Sequence, residues 1–320
     1  MKAVILAAGK STRTYPLTVN IPKPMIRVDR TTILEKNLNN LVGFVNEVII
    51  VVGFRKVMIQ KRIGTKYKGL KIRYVNQKVP KGTGHALSLA RKFLSGSFIL
   101  LMGDDLYSKK DIHKCLQHKY SVLAKRVKDP SSFGVYVLDK GFVKDIIEKP
   151  KKYISNLANC ALYVLDISFL SELDSIKRSG RGEIEIVDAI KTFSRKNKVK
   201  CVIGKDWIPF VYPWDLYKIT KKKIGRNCSI QGKVVNSIIM DNTIIEKGSV
   251  VRDSIIGENV RFSGTIKSGN VVVKVKNKKI KVKIGAIIGD NVYADKVKIS
   301  PGVRIWPGNQ VRGVIKKDVV

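Results

Sequence analysis

Apolar residues recur every six positions near the carboxyl end of this 320-residue chain, and this spacing restricts the possible folds most strongly. The two runs are Ile238, Ile244, Val250 and Ile256, followed by Ile287, Tyr293, Ile299, Ile305 and Val311. A period of six matches neither the face of an α-helix nor the alternation of a β-strand. It is typical of the coils of a β-helix. Between the runs, Val271–Val275 and Ile280–Ile284 flank Lys276–Lys279 and predict a hairpin.

The first two thirds of the chain alternate apolar strands with amphipathic helices. Candidate strands lie at Ala3–Ala7, Glu47–Val52, Lys71–Val75 and Phe98–Met102, and candidate helices at Thr31–Val42 and Thr83–Phe93. This order predicts an α/β, Rossmann-like domain with a mostly parallel sheet. We place it at residues 1–220, followed by an all-β domain of hexapeptide repeats at 221–320. Ligands bind beyond the carboxyl ends of such strands, where Gly9 and Asp104 lie.

The charge of the chain is strongly positive, at +37. The excess is spread along the sequence, because residues 1–220 carry +23 and residues 221–320 carry +14. Lysine used as a solvated surface residue explains this distribution as well as a polyanion site does, so we do not expect nucleic acid as a partner.

Cysteine usage and hydropathy indicate the cellular compartment. The four cysteines lie far apart without a CxxC pair, which argues against a disulfide framework or a zinc site. No apolar run reaches the length of a membrane span, and the apolar start of the chain stops at Gly9, too short for a signal peptide. We therefore expect a cytoplasmic protein.

The segment after the first predicted strand carries the most chemistry. It reads Leu6-Ala7-Ala8-Gly9-Lys10-Ser11-Thr12-Arg13, with Pro22-Lys23-Pro24 further on. A loop of small residues offers backbone N–H groups to phosphate oxygens, and the two cations can neutralise a polyphosphate. The spacing fits neither a Walker A loop nor the G-x-G-x-x-G pattern.

The whole string resembles the nucleotidylyltransferases that join a sugar 1-phosphate to a nucleoside triphosphate, whose motif is L-A-A-G-x-G-T-R followed by P-K-P. Further matches follow in the family's order: Gln77, Gly82-Thr83-Gly84-His85-Ala86, Gly103-Asp104, Phe133-Gly134-Val135, Glu148-Lys149-Pro150, Asn159 and Pro213-Trp214-Asp215. The resemblance covers about residues 1–220. The repeats after it resemble the left-handed β-helix often attached to these enzymes.

The resemblance implies a role for each matching residue. Arg13 and Lys23 would be the catalytic cations. The nucleotide would bind Leu6, Ala7, Ala8, Gly9, Ser11, Thr12, Gln77, Gly82 and Thr83. The sugar phosphate would bind Gly134, Glu148, Lys149 and Asn159. Asp104 and Asp215 would hold Mg²⁺.

The implied reaction is in-line attack by an oxygen of the sugar phosphate on the α-phosphorus, with release of pyrophosphate. The nucleophile is already anionic, so alignment and charge neutralisation suffice and no general base is needed. The Gly82–Ala86 string is most similar to the uridylyltransferases that act on N-acetylglucosamine 1-phosphate. It therefore favours UTP, with glucose 1-phosphate or N-acetylglucosamine 1-phosphate as acceptor.

Three departures from the family pattern bear on activity. Ser11 replaces a glycine, which a backbone with negative φ would accommodate. Ala161 replaces a glycine in the sugar-side motif. Pro209 stands where many relatives have a metal-binding aspartate. Asp215 would then be the second ligand, or it would cap the helix that follows.

Two further expectations concern function and assembly. The alternative to an enzyme is a non-catalytic regulatory or assembly subunit, similar to subunits of the translation-initiation guanine-nucleotide exchange factor. Related β-helices acetylate amino sugars with a histidine base, whereas His85, His113 and His118 all precede the repeats here, so we expect no acetyl transfer. The repeats would instead serve homo-oligomerisation, as a trimer.

Overall fold

The computed structural model describes residues 1–180, 182–275 and 278–320. Contacts divide the chain into two compact units. Unit 1 comprises Met1–Gly9 and Ile33–Pro209, and unit 2 comprises Lys10–Thr32 and Phe210–Val320. The predicted limits of the two domains, 1–220 and 221–320, stay a prediction.

The first twelve strands lie before residue 204. They are β1 Lys2–Ala7, β2 Arg27–Val28, β3 Thr31–Thr32, β4 Glu47–Val52, β5 Lys66–Tyr67, β6 Leu70–Asn76, β7 Ser97–Met102, β8 Ser121–Arg126, β9 Gly134–Asp139, β10 Phe142–Glu148, β11 Leu157–Asp166 and β12 Lys200–Ile203. The α-helices are α1 Ile33–Leu41, α2 Lys56–Ile63, α3 Thr83–Ala90, α4 Lys109–Leu116, α5 Glu172–Ser175, α6 Ile186–Lys196 and α7 Leu216–Ile219. Short 3₁₀ turns lie at Thr12–Thr14, Lys23–Met25, Arg91–Phe93, Ile167–Ser171 and Pro213–Asp215.

Unit 1 is built on one ten-stranded sheet. Its strand order is β5-β6-β4-β1-β7-β11-β8-β12-β10-β9. Strands β6, β4, β1 and β7 run parallel, and their residues are rich in valine, isoleucine and leucine, as both faces of this part of the sheet are covered. The predicted Rossmann-like α/β fold with a parallel core is therefore confirmed, whereas β5, β11 and β10 run antiparallel to their neighbours. The four strands and the first helix expected from the sequence form within one or two residues of their predicted ends, whereas α3 ends at Ala90 and Arg91–Phe93 form a 3₁₀ turn.

Unit 2 contains the strands that follow α7, which stack in parallel except for the antiparallel pair β20 and β21. They are β13 Ser229–Ile230, β14 Lys233–Val235, β15 Ile238–Ile239, β16 Ile244–Ile245, β17 Val250–Arg252, β18 Ile255–Ile256, β19 Arg261–Ile266, β20 Gly269–Val275, β21 Lys278–Ile284, β22 Ile287–Ile288, β23 Tyr293–Ile299, β24 Arg304–Ile305 and β25 Gln310–Ile315. Strands β15, β18, β22 and β24 form one parallel ladder, and β13, β16, β19, β23 and β25 form another. This run of stacked parallel strands confirms the β-helix, while its handedness stays a prediction.

The residues that mark the six-residue period do not all point into the core of unit 2. Ile244 and Tyr293 are 38% and 45% exposed, whereas their neighbours Ile245 and Ala294 are buried in the core of unit 2. Many coil positions carry two adjacent apolar residues, so spacing alone does not decide which side chain points inward. Stacking onto the next coil decides it, because the inward residue packs on its counterpart.

An asparagine ladder runs along one edge of the stacked coils. Its members are Asn227, Asn242, Asn259 and Asn291, and each has φ between 54° and 59°. Their side-chain amides bond from coil to coil at 3.1–3.2 Å. Asparagine tolerates this left-handed conformation better than most residues do. The ladder therefore turns the chain at each coil and satisfies its own polar groups.

Candidate active site

The carboxyl edge of the parallel strands in unit 1 is closely packed around the residues that follow β1. The carbonyl of Ala8 accepts a bond from the N–H of Phe54, and the N–H of Gly103 donates to the carbonyl of Leu6 at 2.9 Å. A side chain at Gly53 would lie 2.7 Å from the Ala8 carbonyl oxygen. The loop that begins at Ala8 thus leaves the sheet between the ends of β4 and β7, as the family motif requires.

Asp104 and Asp105 follow β7 at this edge, and buried side chains hold their loop. The amide of Asn37, which is fully buried on α1, donates to the carbonyl of Asp105 at 2.7 Å. The indole of Trp207 donates to Asp105 Oδ2 at 3.1 Å. The indole of Trp207 thus engages the Asp105 carboxylate. That Asp104 holds the metal ion stays a prediction.

Tyr107 joins this loop to β11. Its hydroxyl is buried and donates to the carbonyl of Cys160 at 2.9 Å, with the carbonyl of Ala161 at 3.4 Å. Burial raises the pKa of Tyr107 well above its usual value, and the nearby charges of Asp105 and Asp104 act in the same direction. Tyr107 is therefore a neutral donor that fixes the distance between the Asp104 loop and the sugar-side strand.

The predicted nucleotide residues of unit 1 contact one another. Gln77, at the end of β6, donates from Nε2 to the carbonyl of Gly82 at 3.1 Å and lies 3.0 Å from His85 Nδ1. Burial lowers the pKa of His85, and the charges of Lys81 and Arg178 lower it further. A neutral imidazole can accept from Gln77, so His85 orients the amide that the resemblance assigns to the base.

Gly82 and Gly84 are required by close packing. Gly82 has φ of 97°, and a side chain there would lie 2.4 Å from the carbonyl oxygen of Ile184. The N–H of Gly84 donates to that same oxygen at 2.7 Å. The hydroxyl of Thr83 accepts from the N–H of Ile186 at 3.1 Å. This contact between the start of α3 and the 184–186 segment fixes the backbone of the Gly82–Thr83 turn.

The predicted sugar-phosphate residues come together on β9, β10 and β11. Gly134 pairs with Glu148, and a side chain at Gly134 would lie 2.8 Å from Glu148 Oε2 and 3.7 Å from Asn159 Cβ. Glu148 and Lys149 form an ion pair of 2.8 Å and are both exposed at their charged ends. A side chain at Gly134 would therefore meet the Glu148 carboxylate, which lies over this residue.

Asn159 is held by two buried tyrosines. Tyr136 donates to Asn159 Oδ1 at 2.7 Å, and Asn159 Nδ2 donates to the Tyr163 hydroxyl at 2.9 Å. The N–H of Ala161 also donates to Asn159 Oδ1, at 2.8 Å. Burial raises the pKa of both tyrosines. The amide of Asn159 consequently has one fixed orientation.

The pairing of β11 with β8 is interrupted after Asn159, and Ala161 lies in the interruption with φ of 53°. The glycine of the family motif would adopt this left-handed backbone without strain, whereas alanine adopts it at a cost of about 1–2 kcal/mol. The departure seen in the sequence is therefore a strained position next to the sugar-side residues.

In unit 2, the loop that carries Arg13 is braced by two buried threonines. The carbonyl of Ser11 accepts from the Thr14 hydroxyl at 2.7 Å, the Thr18 hydroxyl at 2.9 Å and the Thr14 N–H at 3.1 Å. Ser11 has φ of 51°, so the condition of a negative φ, under which serine replaces the family's glycine without strain, is not met. Three donors thus hold the Ser11 carbonyl oxygen. A left-handed turn of this kind allows backbone N–H groups to bind phosphate oxygens.

The two predicted catalytic cations differ in exposure. Arg13 is exposed, whereas Lys23 is 6% exposed and its ammonium lies 5.3 Å from the centre of the Phe210 ring. The electron-rich face of an aromatic ring attracts an ammonium group, so this contact helps to hold the Lys23 side chain in place. Arg13, by contrast, is open to solvent.

Asp215 uses both carboxylate oxygens for partners within unit 2. Oδ2 accepts from the N–H groups of Val211 and Tyr212 at 2.9 and 2.8 Å, and Oδ1 accepts from Lys218 at 2.8 Å. Asp215 is 5% exposed. The two backbone bonds cap the 3₁₀ turn Pro213–Asp215, to which Asp215 itself belongs, and the Asp215 side chain accepts no capping bond from the N–H groups of α7. The alternative left open by the sequence, a cap of the helix that follows, was therefore wrong. The role of Asp215 as a metal ligand stays a prediction that these contacts do not favour.

Sequence reasoning missed Asn37, Tyr107 and Tyr136, which hold the site without belonging to a motif, and it gave Trp207 no role. A polar residue on the apolar face of α1 was the only available signal for Asn37. The tyrosines and Trp207 have the hydrophobic character of ordinary core residues, and their partners lie far away in the sequence. Among the residues that the structure describes, no three or more His, Cys, Asp or Glu side chains gather into a metal-binding group.

The fold, together with the predicted nucleotide residues and the predicted sugar-phosphate residues, indicates a nucleotide-binding α/β transferase with an appended β-helix. The nucleotidyl transferase family model matches residues 2–219, and the chain belongs to this family. Within the described ranges, none of the helices is both long and apolar enough to span a membrane.

Named relatives agree with this class. The bifunctional protein GlmU of Methanococcus aeolicus is 31% identical, with 99% of this chain and 96% of that protein covered. That alignment runs over 399 positions against 320 residues here, so the relative holds segments that this chain lacks. A UTP–glucose-1-phosphate uridylyltransferase of Haloferax volcanii is 33% identical over 67% of this chain and 93% of its own length. The structure of a putative glucose-1-phosphate thymidylyltransferase from Bacillus anthracis aligns with a TM-score of 0.63 and 25% identity, covering 68% and 93% of the two chains.

Proposed function

We propose that this protein transfers the uridylyl group of UTP to glucose 1-phosphate or N-acetylglucosamine 1-phosphate. The observation that carries the proposal is the order of strands in unit 1. Asp104 follows β7. Strand β6, which ends just before Gln77, lies on one side of β7 in the sheet order. Strands β11, β10 and β9 lie on the other side and carry Asn159, Glu148 and Gly134. A nucleotide site and a sugar-phosphate site on opposite sides of one carboxylate suit a transfer between the two ligands. The uridylyltransferase relative supports UTP as the donor.

The chemistry requires alignment more than proton transfer. An oxygen of the sugar phosphate forms a bond to the α-phosphorus of UTP, the bond from that phosphorus to the bridging oxygen breaks, and pyrophosphate leaves with the electron pair. No proton moves, since the attacking oxygen is already anionic. Arg13 and Lys23 would neutralise the phosphates, and Asn159 and Glu148 would orient the sugar phosphate.

Mg²⁺ is the proposed cofactor. Asp104 offers a hard oxygen donor on a half-buried loop, and Mg²⁺ in phosphate sites commonly takes only one or two protein carboxylates and several waters. The donor set therefore fits the ion, with Asp104 as its holder. When bound, Mg²⁺ would offset the negative charge of the α-phosphate and of the leaving pyrophosphate.

The test uses the purified full-length chain with Mg²⁺, each of the four nucleoside triphosphates and each sugar 1-phosphate, with pyrophosphate release as the readout. UTP should give the fastest turnover. Equal or faster turnover with GTP would contradict the choice of base. No release with any pair would instead support the non-catalytic subunit.

Asp104→Asn should abolish turnover while leaving the melting temperature unchanged. Asp139→Asn is the matched control, because Asp139 is exposed at the far end of β9 from Gly134, and it should retain full activity. Equal activity of the two variants would remove Asp104 from the mechanism.

We also propose a cytoplasmic location and a homo-oligomer, with a trimer through the β-helix as the first expectation. The location rests on the free thiols of Cys115, Cys160, Cys201 and Cys228. A single monomeric species in light scattering at micromolar concentration would refute assembly.

A further inference from the structure

The hairpin of β20 and β21 forms a sheet of its own within unit 2, separate from the stacked ladders. Its register is set by antiparallel pairs that include Val272 with Lys281 and Lys274 with Lys279. Because side chains alternate between the two faces of each strand, the register assigns every described residue to one face.

One face of the hairpin is mostly apolar and packed, with Lys278, opposite Val275, exposed at its end. Val273, Val275 and Ile284 are buried there, and Val271 Cγ2 lies 3.0 Å from the position that a side chain at Gly302 would take. The hairpin thus packs against its own unit on this side. This packing fixes which face remains outside.

The opposite face is basic and open; we call it the lysine face. It consists of Asn270, Val272, Lys274, Lys279, Lys281 and Lys283, all of them exposed. Lys274 and Lys279 stand directly opposite each other, an arrangement of like charges that destabilises a strand pair. Residues 269–284 contain no acidic residue in the sequence, and the described acid that interacts with this face is Asp253, which Lys283 approaches from outside the hairpin.

The composition of the lysine face distinguishes between anionic partners. It holds no arginine and no aromatic residue, the side chains that grip phosphates in two-point contacts or stack on bases in nucleic-acid sites. Lysine is a point charge on a flexible stem and suits a diffuse negative field. At the centre of the face lies Val272, an apolar residue that is 56% exposed. Lysines around an exposed apolar residue match an anionic lipid surface, where four or more basic residues are enough for attraction.

We propose that the lysine face docks on a membrane surface that carries anionic phospholipids. Lys274, Lys279, Lys281 and Lys283 provide the attraction, and Val272 enters the headgroup region. Docking relieves the repulsion between Lys274 and Lys279, because lipid phosphates lie between the two ammonium groups. This contact is independent of the candidate active site, whose residues lie elsewhere in the sequence.

The experiment measures partition of the full-length protein onto phosphatidylcholine vesicles with and without phosphatidylglycerol. The unmodified protein should bind the anionic vesicles only, and salt should weaken the binding. Each lysine near the surface contributes about fivefold to the partition coefficient, so changing all four to glutamine should lower it by roughly several hundredfold.

The matched control removes the same charge elsewhere. Lys61, Lys66, Lys71 and Lys110 are exposed, and Lys66 and Lys71 also face each other across a strand pair. Their change to glutamine should leave vesicle binding nearly unchanged. Equal losses in the two variants would overturn the proposal, because binding would then come from the charge of the whole chain.

A reporter variant tests the proposal without removing lysines. Val272→Trp replaces an exposed side chain. The fluorescence of the new tryptophan is obtained by subtracting the emission of the three native tryptophans, and it should shift to the blue with anionic vesicles only. The absence of a shift while the protein binds vesicles would overturn the proposal. So would tight binding of duplex DNA that depends on the four lysines, in the absence of vesicle binding.

Discussion

Tyr107→Phe tests whether the contact between the Asp104 loop and β11 determines both stability and catalysis. The substitution removes one hydroxyl and leaves the buried carbonyl of Cys160 without that donor, at a position where the pairing of β11 with β8 is interrupted. An unsatisfied buried carbonyl costs about 1–3 kcal/mol. For a chain of this size the melting temperature should fall by about 2–5 °C.

Turnover should fall together with stability, since the same bond positions Ala161 and the sugar-side residues relative to Asp104. We expect a lower kcat and a higher KM for the sugar phosphate, and an unchanged KM for UTP. Calorimetry and pyrophosphate-release kinetics on the same preparations measure both effects.

Tyr74→Phe is the matched control. The Tyr74 hydroxyl also donates to a backbone carbonyl, that of Gly64 at 2.6 Å, but Tyr74 is only partly buried. Water can replace this donor, so we expect a smaller loss of stability and no change in kinetics. A Tyr107→Phe protein as stable and as active as the Tyr74→Phe protein would refute the role of Tyr107.

Three other predictions follow from single features. Asp215→Asn should lower the free energy of unfolding by about 0.5–2 kcal/mol with near-normal turnover, as expected of a cap, and a large loss of rate at unchanged melting temperature would instead identify a metal ligand. Burial opposes ionisation of Glu47, but its bonds to Arg73 and Lys2 outweigh this effect and lower the pKa of Glu47 from 4.5. The stability that ionised Glu47 contributes is therefore present above that pH and is lost as the pH falls below it. In acid, the urea midpoint of Glu47→Gln should change less with pH than that of the unsubstituted protein. Acetyl transfer from acetyl-CoA to glucosamine 1-phosphate should be absent, because all three histidines of the chain precede the β-helix, and detection of N-acetylglucosamine 1-phosphate would contradict this.

The sequence by itself determined the class of fold and most of the candidate site. Strands such as Glu47–Val52 and the six-residue period are repeated local patterns, and burial of apolar side chains leaves few architectures for them. Gly9, Gln77 and Asp104 lie at one edge of the sheet because each follows the carboxyl end of a parallel strand. Motif order supplied the family without knowledge of strand order.

Tertiary structure alone decided how those residues are held. The left-handed backbones of Ser11 and Ala161, the buried bond from Tyr107 to Cys160 and the cap formed by Asp215 depend on partners or turns that the residue types do not specify. The inward phase of the β-helix depends on which of two adjacent apolar residues stacks on the next coil. In each case the deciding energy comes from a neighbour that is distant in sequence or from the geometry of a turn, and a local pattern cannot encode either.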